Sequence, residues 1–157
     1  MFRRAPTVAS GGCIATLGRP RLLVPVTTQS ALAALTPAPD RLAAACDHLG
    51  LLGCFVYSPA SARVVARMFA PSIGVPEDIA NTNSSAHLLA RHGATRLAVD
   101  MGDTLGHPSS VSANACHSSP SPLVDVSSVA RIGRALWLPM PRFTLLDSHR
   151  RLVPRGS

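Results

Sequence analysis

The chain has 157 residues, of which 46% are hydrophobic and 15% are charged. A chain of this length and hydrophobicity can bury a core, so the composition excludes an intrinsically disordered protein and favours one folded domain. The formal net charge is +7, but the basic residues are all Arg and are scattered along the chain rather than gathered in long runs. One Trp and one Tyr offer little base stacking, so these features argue against a nucleic-acid partner.

The first half of the chain predicts a strand, a helix and a hairpin. A short apolar run with β-branched residues predicts a strand over residues 21–26. Apolar residues at helical spacing predict a helix between Asp40, a favourable N-cap, and Gly50, a favourable stop. Two further apolar runs, over residues 54–57 and 64–69, flank a Ser- and Pro-containing turn and predict an antiparallel hairpin.

The second half predicts one more helix and several strands. Residues 72–82 contain Gly, Pro, Asp and Asn in an order too irregular to predict an element, and a helix follows over residues 83–92, where Gly93 stops it. The remaining apolar runs predict strands over residues 96–99, 111–115, 124–126 and 130–138. Strands outnumber helices without regular alternation, which predicts an α+β domain whose mainly antiparallel sheet wraps around a central helix.

The sequence also suggests limits for this domain. We expect residues 1–18 to be an N-terminal extension, residues 19–140 to form a single domain, and residues 141–157 to be a tail. The last six residues, LVPRGS, match a thrombin cleavage sequence and are interpreted as the remnant of an expression tag.

Membrane, disulfide and metal signals are weak. No apolar run reaches the roughly 18 residues that a membrane-spanning helix needs, and the N-terminus does not resemble a signal peptide, so we expect a cytoplasmic protein without a membrane partner. The four cysteines stand far apart without a C-x-x-C pair, a pattern typical of reduced thiols rather than of a disulfide framework or a zinc site.

Small polar residues mark the start of the helix predicted after residue 82. Asn81, Thr82, Asn83 and Ser84 lie where the first backbone N–H groups have no intrahelical partners, so this end of the helix attracts an anion such as a substrate carboxylate. Asp78 lies a few residues upstream, where it could cap the same donors or act on the substrate as a hydrogen-bonding carboxylate. The residues alone leave open the alternative of a capped helix without a ligand.

The string over residues 66–92, ARMFAPSIGVPEDIANTNSSAHLLARH, resembles the second domain of the phenazine-biosynthesis isomerase-like (PhzF-like) family. In that family a strand with the pattern R-M-F-x-P leads to G-x-x-E-D-x-x-T-G-S-A and the start of a helix. Residues 19–26, 53–58 and 101–109 are similar to the opening strand, to the strand before the motif and to a downstream G-x-x-x-G-R-P-S segment. The resemblance implies one half of a diaminopimelate-epimerase-like fold.

Roles for the loop residues come with this resemblance. Glu77 and Asp78 match the family's acidic pair, and the Asp is the residue that family members use at the substrate. The resemblance implies that Asp78 is catalytic, and that the substrate is bound by Asn81, Thr82, Asn83 and Ser84. It implies an isomerase-type enzyme of secondary metabolism that isomerises, epimerises or cyclises a small carboxylate-bearing metabolite by proton transfer, without a metal or other cofactor.

The resemblance covers only one of the family's two similar domains. The active site of family members lies between these domains, and the Glu that moves the proton, with a His in a G-H-P motif, belongs to the first. We therefore expect a homodimer or a separate partner that resembles the first domain. Gly106-His107-Pro108 matches the second-domain G-R-P segment in register, so His107 is interpreted as a surface residue.

A second hypothesis belongs to a different functional class. The Gly of the family's T-G-S is Thr82 in this chain, and a β-branched residue restricts the backbone where a substrate would approach closely. The alternative is therefore a non-catalytic ligand- or protein-binding module derived from a PhzF-like isomerase.

Overall fold

The computed structural model describes residues 11–16, 19–59, 63–116 and 123–129. The strand predicted over residues 130–138 and the tail over residues 141–157 lie outside these ranges. Within them, three helices are formed, namely α1 (Gln29–Ala33), α2 (Pro39–His48) and α3 (Thr82–His92). The strands are β1 (Cys13–Thr16), β2 (Pro20–Pro25), β3 (Cys54–Pro59), β4 (Val64–Ala70), β5 (Val75–Asp78), β6 (Arg96–Met101), β7 (Ser109–Cys116) and β8 (Leu123–Ser128).

The strands form one sheet in the order β1-β2-β3-β4-β6-β7-β8, and β5 pairs with β4 beside this path. The β2–β3 and β4–β6 pairs are parallel. All other pairs in the described residues are antiparallel. The predicted class, a mainly antiparallel sheet with few helices, is therefore confirmed.

The sheet is covered on both faces by apolar packing. On one face, Leu88 of α3 packs with a cluster that includes Phe55, Met68, Val99 and Met101, all of them almost completely buried. On the other face, Leu32 of α1 packs with Val26, Cys54, Val56 and Phe69, and Leu42 of α2 packs against them. Because α3 contacts strands from both ends of the sheet, including β1, β2, β7 and β8, the sheet curls around this helix.

Most predicted elements are present in the structure. The strands predicted over residues 21–26, 54–57, 64–69, 96–99, 111–115 and 124–126 correspond to β2, β3, β4, β6, β7 and β8. The two predicted helices correspond to α2 and α3. No helix in the described part of the chain is both long enough and apolar enough to cross a bilayer.

Three elements were not predicted. Residues 72–82, whose sequence is too irregular to predict an element, contain β5, which tolerates Pro76 because β4 is its one partner among the described strands. α1 was not predicted because polar residues surround its start. One of them is its N-cap, Thr28, whose hydroxyl accepts a hydrogen bond from the Ala31 N–H at 3.1 Å. Residues 13–16 of the expected extension form β1, so the sheet begins before residue 19.

Candidate functional site

The pairing of β4 with β5 decides which way the acidic pair faces. Asp78 lies directly opposite Met68 in this antiparallel ladder, and opposite residues share a face of the sheet. Met68 is buried in the cluster that packs on α3, so Asp78 faces α3. Side chains alternate along a strand, and Glu77 accordingly faces the opposite side, toward α1.

The carboxylate of Asp78 is held by the residues that follow it. The side-chain amide of Asn81 donates to one carboxylate oxygen at 3.1 Å, and the Ala80 N–H donates to the other at 3.4 Å. The side-chain oxygen of Asn81 accepts a hydrogen bond from the Ser84 N–H at 3.0 Å and caps α3. Of the two roles open to Asp78, the capping role therefore falls to Asn81, and Asp78 orients the cap.

The predicted binding residues differ in exposure. Thr82 and Asn83 are exposed and Asn81 is half-buried. Ser84 is fully buried, and its hydroxyl has no hydrogen-bond partner among the described residues. The structure thus brings Asp78 and Asn81 into direct contact and leaves Thr82 and Asn83 open to a ligand. Binding of a ligand by these four residues stays a prediction.

A groove runs along the first turns of α3. Its volume is about 470 Å³, and Thr82, Asn83 and His87 lie on one wall, opposite Leu123 and Val126 of β8. Burial, together with the charge of Arg21, lowers the pKa of His87. At neutral pH His87 is therefore an uncharged imidazole, a form that can accept a proton.

Arg21 is a buried cation on the same side of the sheet as Asp78. It lies two residues before Leu23 on β2, and residues two apart on a strand share a face of the sheet. Leu23 packs in the α3-side cluster, so Arg21 also faces α3. Burial lowers the pKa of Arg21, as does the charge of Arg19, whereas the charge of Asp78 raises it. The sequence alone does not reveal that Arg21 lies near Asp78, because Arg21 is one of many scattered arginines.

A larger cleft borders the loop after Asp78. It has a volume of about 970 Å³, and Ile79, Ala80, His107 and Ser109 are among its lining residues. The Ser109 hydroxyl donates a hydrogen bond to the Ile79 carbonyl and joins the two sides of the cleft. His107 is exposed, as its interpretation as a surface residue requires.

Neither the thiols nor a metal cluster offers an obvious alternative site in the described ranges. No group of three or more His, Cys, Asp or Glu side chains within them is arranged to hold a metal ion. The four cysteines are free, and burial raises the pKa of Cys54 to about 12. A thiol with such a pKa stays protonated and is a poor nucleophile at neutral pH.

Comparison with known proteins identifies the family. The model of the phenazine biosynthesis-like (PhzC-PhzF) family matches residues 9–130. A crystal structure of a PhzF-family phenazine biosynthesis protein from Bacillus anthracis is 14% identical, with a TM-score of 0.57, and the match covers 80% of this chain and 46% of that one. A PhzF-family structure from Enterococcus faecalis is 19% identical, with a TM-score of 0.51, and the match covers 70% and 42% of the two chains.

The matches cover only part of the length of the solved proteins. The chain spans less than half the length of either solved structure. A search of the curated proteins gives no match. The family model nevertheless matches well over half of the chain, and the fold agrees with both structures. The chain therefore belongs to the phenazine biosynthesis-like (PhzC-PhzF) family.

Proposed function

We propose that the chain is an isomerase-type enzyme that transfers a proton on a small carboxylate-bearing substrate. Isomerisation, epimerisation and a cyclisation that follows either one are the reaction types that such a transfer allows. The observation that carries the proposal is the hydrogen-bonded Asp78–Asn81 pair at the first turn of α3. It places a held carboxylate beside the end of a helix that attracts anions.

In this proposal the first turn of α3 binds the substrate and Asp78 transfers the proton. The exposed first turn, with Thr82 and Asn83, would bind the substrate carboxylate through backbone N–H groups and side chains. Asp78 would then be the acid/base group at the neighbouring carbon, since two hydrogen-bond donors hold its carboxylate in place. Neutral His87 lines the groove beside Thr82 and Asn83, where it would be a second group able to accept or return a proton.

A second domain would complete the site. The chain spans less than half of the PhzF-family structures that it matches, so a cleft between two similar domains would need a second domain besides the one that the structure describes. We propose that a second copy of this chain supplies it, since a two-fold pair presents two equivalent surfaces to each other. A separate partner that resembles the first domain would serve the same purpose.

Proton transfer next to a carboxylate can be measured without knowing the product. We would incubate the protein with a panel of small unsaturated carboxylic acids in D₂O and follow the loss of carbon-bound proton signals by NMR. The wild-type protein is expected to exchange at least one acid, and Asp78→Asn is expected to slow the exchange by about 100-fold, the usual contribution of a general base.

The matched control for this experiment is Asp47→Asn. Asp47 is exposed near the end of α2, on the other side of the sheet from α3, so the same chemical change there should leave the exchange rate unaltered. Equal rates for wild type and Asp78→Asn would remove Asp78 from the mechanism.

One observation favours a non-catalytic binding module as the second candidate. Asn81 already satisfies the Ser84 N–H, so the helix start is stable without a ligand. A module of this kind would bind a small acid or a protein and exchange no proton. Titration with acids of the same panel separates the two functions, because binding without exchange in D₂O supports only the module.

A further inference from the structure

We propose that Arg67 and Glu77 are positioning residues for Asp78, and that their ion pair sets the orientation of β5 from which the Asp78 carboxylate faces α3. This inference rests on the proposed function. It also gives a role to Glu77, the only Glu in the chain, which neighbours the catalytic candidate but faces the other side of the sheet.

The geometry of the pair is rigid. Arg67 donates to Glu77 through Nε at 2.8 Å and through Nη2 at 2.7 Å, so that each carboxylate oxygen receives one bond. Both side chains are only 10% exposed. Two parallel hydrogen bonds between planar groups fix the orientation of the Glu77 carboxylate relative to the Arg67 guanidinium as well as the distance between them. A single hydrogen bond from a Lys would fix only the distance.

Further contacts anchor the pair to α1 and to the turn after β6. The remaining terminal nitrogen of Arg67 donates to the carbonyls of Leu32 at 3.0 Å and Leu35 at 2.8 Å, at the C-terminal end of α1. The guanidinium carbon lies 4.9 Å from the centre of the Phe69 ring. The Thr104 hydroxyl donates to Glu77 at 2.7 Å. Glu77 is thereby tied to α1, β4 and the turn after β6.

Backbone pairing alone holds β5 weakly. The strand has four residues, and its pairing with β4 shifts register between Met68 and Ala70. Asp78 is the last residue of this strand. A rotation of the backbone at Glu77 would therefore turn the Asp78 carboxylate away from Asn81. The hydrogen bond from Ser109 to the Ile79 carbonyl holds the next residue along. The ion pair and this bond therefore fix Asp78 from both sides.

The decisive variant is the double substitution Arg67→Met/Glu77→Met. It removes both buried charges together and keeps apolar side chains of similar length, an exchange that proteins tolerate better than the loss of one partner. The control is Arg63→Gln/Asp100→Asn, which removes another Arg–carboxylate pair, between the residue before β4 and β6. The side chains of that pair are 53% and 30% exposed.

The first measurement is independent of turnover. In ¹⁵N–¹H NMR spectra the side-chain amide of Asn81, which donates to Asp78, is expected to shift and to exchange faster with water in the double Met variant. The control variant is expected to leave that signal in place. An unmoved Asn81 amide in a folded double Met variant would overturn the proposal.

The second measurement uses deuterium exchange with the acid that the wild type turns over. The double Met variant is expected to lose about tenfold in kcat at nearly constant KM, because misplacing a catalytic group acts on the reacting step. The single variant Arg67→Lys keeps the positive charge but not the two paired bonds, so it should also lower kcat, whereas a role of the charge alone would predict an unchanged kcat. If Asp78→Asn abolishes exchange while the double Met variant keeps full kcat, the positioning role fails and the proposed function stands.

Discussion

Asn81 is the residue on which the local geometry of the site depends. It joins the Asp78 carboxylate to the first turn of α3, since its amide group donates to Asp78 and its oxygen accepts from Ser84. A residue with only one of these two capacities would either leave the helix uncapped or leave Asp78 without its side-chain partner. Loss of Asn81 should therefore affect stability and site geometry together.

The substitution Asn81→Ala tests this dual role. We expect it to lower the free energy of unfolding by about 1 kcal/mol, the usual effect of losing an N-cap side chain. Asn83→Ala is the matched control, because Asn83 is exposed in the same turn and caps nothing. Urea unfolding followed by circular dichroism measures both, and equal stabilities of the two variants would show that Asn81 does not cap α3.

At the residue scale, the sequence indicates which neighbouring residues lie at the start of α3, and it gives no sign of contacts between distant residues. Asp78 and Asn81 are three positions apart, so the chemistry of a helix start was enough to bring them into one site. Arg67 and Leu32, by contrast, are 35 positions apart, and their contact exists only because α1 packs over β4. A single sequence carries no signal for such a partner.

At the scale of elements, the ion pair of Arg67 with Glu77 links β4 to β5. The hydrogen bond from Arg67 lowers the pKa of Glu77 below its ordinary value of 4.5, although burial opposes the shift and the Thr104 hydroxyl adds to it. A carboxyl group with a lowered pKa in the folded state stabilises the fold above the unfolded pKa. That contribution is lost as the pH falls through the lower, folded value.

The variant Glu77→Gln should show this dependence. At pH 7 it leaves the Arg67 charge buried without a carboxylate, and we expect a loss of about 3 kcal/mol in the free energy of unfolding. The difference in the free energy of unfolding between wild type and variant should become smaller as the pH falls below 4.5, because protonation of Glu77 then breaks the ion pair in the wild type as well. Denaturant unfolding at a series of pH values measures this difference, and a constant difference would contradict the lowered pKa.

The control for this series is Asp100→Asn, which opens the exposed pair with Arg63. Solvent screens that pair, so its removal should change stability far less at every pH.

Element prediction failed where pairing, rather than propensity, decides the structure. β5 contains a Pro and only four residues, and it exists because β4 offers it a free edge. α1 has only five residues, and Arg67 binds the carbonyls at its end, which no local pattern reveals. Long apolar runs such as β4 and the well-capped α3 were predicted because their signals are local.

At the scale of the whole molecule, the class of the fold followed from the count and order of elements. The prediction of a sheet around a central helix holds, since α3 lies in the curl of the sheet with Leu88 fully buried. The two parallel pairs, β2–β3 and β4–β6, could not be predicted in the same way. Crossovers of this kind depend on which strands meet in three dimensions.

The central claim is that this chain acts as one half of a paired isomerase, and its mass in solution tests the claim most directly. We would measure light scattering behind size exclusion over a range of concentrations, and repeat the deuterium-exchange assay on the eluted peaks. We predict a particle of about twice the 16.4 kDa of the chain, with exchange activity confined to it. A strict monomer that exchanges protons at the full rate would contradict the paired cleft.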